Sequence, residues 1–151
     1  MKFCSLTFPN LFMAALAVTI VGFSDFRLVD AAYAGSVDKE CGIDPKPNID
    51  WSGCKMNWID LSKADLRGAN LAGSSIISGN LSGANLAGAN MQGAALAGVN
   101  MSSANLTNAD LRKATMVKSN MAGAILTGAR FGGAIYINAK ICKENSIGGC
   151  K

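Results

Sequence analysis

The sequence predicts an all-β solenoid, and three observations predict it. Ile59 to Lys143 divides into seventeen consecutive blocks of five without gap or insertion, beginning IDLSK, ADLRG, ANLAG and ending AIYIN, AKICK. A period of five matches neither the 3.6 of a helix nor the 2.0 of an uninterrupted strand, so each block is a short extended piece followed by a bend. Within the block, a small residue at position one and a large apolar residue at position three alternate with Asn or Asp at position two. That alternation puts positions one and three on the inside of the extended piece. Gly recurs at position five, where a bend accepts a residue without a Cβ.

These blocks resemble the pentapeptide-repeat family, whose motif is A(D/N)LxG. The resemblance covers well over half of the chain and implies a right-handed quadrilateral β-helix in which four blocks make one coil. An amphipathic Ala-rich helix is excluded, because a period of five would wind the large residues around it.

Taken in order, Met1 to Ala34 reads as a signal peptide. Lys2 supplies the positive end, Leu11 to Phe23 the uncharged apolar run, and Ala32-Tyr33-Ala34 the cleavage site. The run is shorter than the ~20 residues that a permanent span needs; an uncleaved tether is the alternative. The mature protein is expected to be exported, periplasmic or secreted. Residues 35–58 form an N-terminal cap and the first coil residues. Pro45 and Pro47 end the ladder there, and Trp51, Trp58 and a disulfide close the open end as a lid. Residues 59–143 are the repeat array, and 144–151 a smaller C-terminal cap.

Removing the leader discards Cys4 and leaves Cys41, Cys54, Cys142 and Cys150. With four blocks per coil, as the resemblance implies, the two ends of the array lie ~20 Å apart at about 4.8 Å per coil. A disulfide does not reach that far. Cys41 with Cys54 and Cys142 with Cys150 are therefore the expected pairs. No CxxC knuckle and no His accompanies them, so no metal or cofactor is expected.

Stacked in fours, residues twenty apart become column neighbours. The inner columns are Leu61, Leu81, Met101, Met121, Ile141; Leu66, Leu86, Leu106, Leu126; Leu71, Met91, Leu111, Phe131; and Ile76, Leu96, Met116, Tyr136. Asn80, Asn100, Asn120 and Asn85, Asn105 point outward and can bond between coils. One outer side differs from the others: it presents Ile77, Ala97, Val117 and Ile137, beside Ser75, Ala95, Thr115 and Ile135. Such a flat apolar stripe is expected to be a contact face for a protein partner or a second copy.

The net charge is +4, and the leader contributes nothing to it. Arg112, Lys113, Lys118, Arg130, Lys140 and Lys143 form a candidate basic patch for an anionic envelope lipid or polysaccharide, the alternative partner. Catalysis is not expected: without His there is no Ser-His-Asp or Cys-His pair, and Asp60, Asp65 and Asp110 occupy equivalent scaffold positions. No GxxxxGK[ST] loop is present. Some members of the resembled family imitate acidic DNA and bind gyrase. This chain departs from them in its basic charge and its leader, so no nucleic acid is expected. An ice-binding rod, through the Ser62, Ser82, Ser102 and Thr107, Thr127 columns, is the remotest reading. The reading adopted is an exported, non-enzymatic scaffold that works through protein contact along its apolar face.

Overall fold

In the computed structural model the described residues are 41–42 and 44–151. The chain divides into two units, Met1–Tyr33 and Ala34–Lys151, and every described residue belongs to the second. The expected signal peptide lies outside the described residues. Among the described residues, no helix is long and apolar enough to cross a membrane.

The second unit is a coil with a twenty-residue turn, stacked by parallel bridging pairs from Asp50 with Asn70 through Thr115 with Ile135. Each side of the coil contributes a single bridging residue instead of a strand. A chain that bends every five residues has no room for more. The sides are named here by the inner residue of one coil. The Leu61 side holds 60–62 and the positions twenty, forty and sixty residues on; the Leu66 side holds 65–67 and its equivalents. The Leu71 side begins at 50–52 and the Ile76 side at 55–57, each continuing upward in steps of twenty.

Five amides per block must find acceptors, because an unpaired buried amide is costly. The position-three and position-five amides donate to the coil above, as in Leu61 to Asn80 O at 2.8 Å and Lys63 to Ser82 O at 2.9 Å. The position-two amide donates to the coil below, as in Asn80 to Ile59 O at 2.8 Å. The position-one amide closes a turn onto position three, as in Ala64 to Leu61 O at 3.1 Å. That turn needs a positive φ at position five, which suits Gly. Lys63, Ser78, Lys113 and Lys118 nevertheless adopt it, with φ of 57–60°.

The position-four amide is left over, and the Asn or Asp at position two takes it. Ser62 N donates to Asp60 Oδ1 at 2.9 Å, Ser102 N to Asn100 Oδ1 at 3.1 Å, and Ala122 N to Asn120 Oδ1 at 3.0 Å. The Asn side-chain amide then donates to the Oδ1 one coil down, as expected. Asn80 donates to Asp60 at 3.0 Å, Asn100 to Asn80 at 3.4 Å and Asn120 to Asn100 at 3.3 Å. Two of these ladders end at the bottom on an Asp, Asp60 and Asp50. A carboxylate only accepts, so nothing is left without a partner there.

The inner columns are buried as expected through most of their length. Trp51 is a core residue beneath Leu71, with its Nε1 donating to Gly42 O at 2.7 Å. Phe131 closes the same column at the other end and meets Tyr136 edge to face, ring centres 5.7 Å apart. Disulfides join Cys41 to Cys54 and Cys142 to Cys150.

Ile141 and Trp58 depart from expectation, and Gly79 departs from the usual repeat. Ile141 is not the end of the Leu61 column but is 68% exposed. After Asn138 the chain reverses through Ala139, at φ 62°, and returns antiparallel, pairing Ile141 with Ile135 and Ile147 with Arg130. The AKICK block therefore makes no fifth rung. Trp58 does not close the open end alongside Trp51; it stands 57% exposed on a corner. Gly79 occupies an inner position where the repeat favours Ala. A Cβ there would meet Ile76 Cγ2 at 2.7 Å, so the β-branch of Ile76 takes that space.

Gly79→Ala should accordingly lower stability by about 1–3 kcal/mol through overpacking. The cost should shrink in a background of Ile76→Leu, which lacks that methyl. Thermal unfolding of the four proteins in this double-mutant cycle measures the coupling, and strictly additive effects would contradict the packing account.

Candidate functional site

The Ile76 side is the one where the Asn/Asp rule fails along its length. Its position-two residues are Lys55, Ser75, Ala95, Thr115 and Ile135. None of them carries an amide or carboxylate to accept the position-four amide. At Ile77 a neighbour substitutes: Asn57 Oδ1, from the coil below, accepts from Ile77 N at 2.9 Å and from Ser75 Oγ at 2.7 Å. Above that point the position-four amides of Ala97, Val117 and Ile137 have no acceptor among the described residues. On the other sides this amide bonds to the outward Asn or Asp through the lower coils and is left over only at the top, at Thr127 and Gly132, whereas on the Ile76 side a column of such N–H groups turns toward the outer surface.

Around those amides the surface is apolar. Ile77 and Ile137 are 38% and 36% exposed, and Ala97, Val117 and Ile135 are half-buried between them. Two further residues join, of which the five-residue register assigns only Ile141 elsewhere. Ile141 pairs antiparallel with Ile135 and so extends the Ile135 column by one residue. Trp58 stands on the corner column of Ser78, Gly98 and Lys118 that borders this side. The register could not have placed Ile141, because the reversal after Asn138 breaks it. Trp58 was legible as a position-five residue of the CKMNW block, a corner by the same rule.

The six candidate basic residues do not gather in one place. Arg112 and Arg130 lie on the Leu71 side and converge on Asp110. Arg112 donates to both carboxylate oxygens, at 2.8 Å from Nε and 2.6 Å from Nη2, and Arg130 approaches to 3.8 Å. Lys113 and Lys118 occupy the two corners that flank the Ile76 side, with no ion pair found for either among the described residues. Lys140 and Lys143 are exposed on the returning segment. The Asp residues of the coil, Asp50, Asp60, Asp65 and Asp110, all stand on the other three sides. Glu144 lies near Gly133, on the corner of Lys113. Among the described residues no three of His, Cys, Asp and Glu come together as a metal site.

A family model described as pentapeptide repeats matches the chain in eight copies, over residues 48–76, 59–102, 80–116 and 104–135. No curated protein matches it. Among solved structures it is similar to a pentapeptide repeat protein of the Arabidopsis thaliana thylakoid lumen, at 32% identity over 60% of this chain and 66% of that one, with a TM-score of 0.38. One from Nostoc PCC 7120 is similar at 34% identity over 56% of this chain and 66% of that one, with a TM-score of 0.38. A third, from the cyanobacterium Cyanothece 51142, is similar at 29% identity over 65% and 71%, with a TM-score of 0.33. The chain thus spans just under two thirds of the length of the first two.

The hydrogen bonds from Arg112 hold the Asp110 carboxyl below its ordinary value of 3.8, with the nearby Arg130 charge adding to the effect. A depressed carboxyl contributes stability above its unfolded value and loses that contribution as pH falls through the depressed one. Asp110→Asn should therefore cost about 1 kcal/mol near neutrality, the scale of a half-exposed bidentate pair. The gap between variant and parent should close on acidification below 3.8. Denaturant unfolding across pH checks this, and a gap that persists in acid would contradict it.

Proposed function

Because this chain belongs to the pentapeptide repeat family, whose members are right-handed quadrilateral β-helices, we propose that it is a non-enzymatic scaffold that acts by contact along the Ile76 side. The observation that carries this is the local loss of the Asn/Asp ladder. On the other three sides the Asn and Asp residues take up the outward amides through the lower coils, and the ladder stops only at the top, at Ile125 and Arg130, where Ile125 and Ile147 are exposed. On the Ile76 side, exposed Ile77, Ile137 and Ile141 accompany amides without acceptors among the described residues. No Asn or Asp stands at position two here, and the position-four residues beside those positions are Ile77, Ala97, Val117 and Ile137. Contiguous apolar surface of this kind marks contact sites.

Export into an oxidising compartment, periplasmic or extracellular, is part of the same proposal. It is supported by the pairing of all four cysteines of the described chain. Gyrase inhibition by imitation of DNA draws no support from a chain of net charge +4.

A photocrosslinking residue in place of Ala97 should form adducts in the native compartment, whereas one in place of Ser82 on the Leu61 side should not. Ile77→Lys, Val117→Lys and Ile137→Lys together should abolish the adducts while leaving thermal unfolding close to that of the parent, since the replaced side chains face outward. Equal adducts from both positions, or adducts indifferent to the lysines, would rule this side out.

A further inference from the structure

The chemistry of the Ile76 side restricts what can cover it. Its backbone groups without a partner among the described residues are donors, the amides of Ala97, Val117 and Ile137, one coil apart at about 4.8 Å, and beside them the Thr115 hydroxyl can donate or accept. Lys118 stands on one flanking corner and Lys113 on the other, with Lys140 on the returning segment above. The acids of the coil are on the other sides, and Glu144 stands beside the Lys113 corner. The occupant must therefore bring acceptor oxygens and negative charge, and must also accept Ile77, Ile137, Ile141 and Trp58.

A second copy applied through the same side supplies little of either: the Thr115 hydroxyl as an acceptor and Glu144 at one corner. It would set donors against donors and lysines against lysines, and each buried amide without an acceptor is unfavourable. Area points the same way. Five rungs of three residues make a face of roughly 20 by 10 Å, well short of the ~800 Å² per partner of a standard stable protein interface. Adsorption to a bilayer surface requires no such area. Aliphatic side chains and an aromatic at the headgroup boundary, with lysines toward lipid phosphates, are enough to hold a protein there.

We infer that the Ile76 side seats on the interfacial layer of an anionic lipid bilayer. Phosphate and ester oxygens accept from the column of amides and from Lys113, Lys118 and Lys140. Ile77, Ile137, Ile141 and the Trp58 ring enter the headgroup and acyl boundary. The inference rests on the Ile76 side being the contact surface, and it names what that surface contacts.

The test uses the oxidised protein as recovered from cells, with vesicles of equal parts phosphatidylglycerol and phosphatidylcholine, and vesicles of phosphatidylcholine alone. Binding to the anionic vesicles, weakened by salt, should be accompanied by a blue shift of Trp58 emission, Trp51 being already buried. Lys113→Ser and Lys118→Ser should each lower the partition about five-fold, the ~1 kcal/mol of a basic residue at such a surface. Lys63→Ser, on the corner between the Leu61 and Leu66 sides, should lower it less than two-fold. Ile137→Ser with Ile141→Ser should remove the Trp58 shift, and unchanged thermal unfolding would show that the variants fold. No binding to anionic vesicles at low salt overturns the inference, as does an equal effect of Lys63→Ser and Lys118→Ser. If vesicles fail while adducts from position 97 reach a protein, or a dimer forms that the three lysines dissolve, the bilayer is wrong and the contact surface stands. If vesicles fail and position 97 gives no adducts, both are wrong.

Discussion

One backbone amide in five governs this structure. A chain that bends after every third extended residue can satisfy four of its five amides through the turn and the neighbouring coils, but the fourth-position amide points away from both. An Asn or Asp two residues earlier accepts it, and the same oxygen takes the side-chain amide of the Asn one coil above. The residue that defines the repeat is therefore a structural part of each rung that carries it, and its outward position does not make it a site. Burial of Leu and Met supplies the favourable free energy, about 1.5–3 kcal/mol for each well-buried large side chain. The Asn and Asp residues let the backbone around that core remain paired.

The same accounting explains the ends. At the bottom, Asp50 and Asp60 terminate their ladders as pure acceptors, and Trp51 fills the inner column. At the top the returning segment pairs with the Leu71 and Ile76 sides, where Phe131 N donates to Ser146 O and Cys142 N to Ala134 O, both at 2.8 Å. Over the other two sides Met121 and Leu126 are half-buried where their equivalents below are fully buried. The Cys142–Cys150 disulfide ties the returning segment together.

Much of this was legible in the sequence, because a strict period converts residue number into position. The inner columns, the Asn ladders, the disulfide pairs and the distinct Ile76 side follow from counting in fives together with the four blocks per coil that the family resemblance implies. Legibility stops where the period does. Ile141 keeps the spacing of a core residue, yet the chain has already reversed at Ala139, and no residue type in AKICK announces this. Trp58 is aromatic like Trp51, but one sits at position three of its block and the other at position five, which sends them to opposite environments. Gly79 depends on the side-chain branch of Ile76, a packing relation that no periodicity encodes. The basic residues cluster in sequence but are dispersed by the corners between them.

Contact along the Ile76 side requires that the ladder be interrupted there over successive coils, not only at the top as at Ile125 and Arg130, and that the outward amides be left for something else to bond. Residue-resolved hydrogen exchange of the free protein addresses this most directly. The amides of Ala97, Val117 and Ile137 should exchange many times faster than those of Ala87, Ser102 and Thr107, which occupy the same block position but are bonded to Asn85, Asn100 and Asn105. Equal protection at the two sets would mean that the Ile76 side is as closed as the others, and would contradict the account.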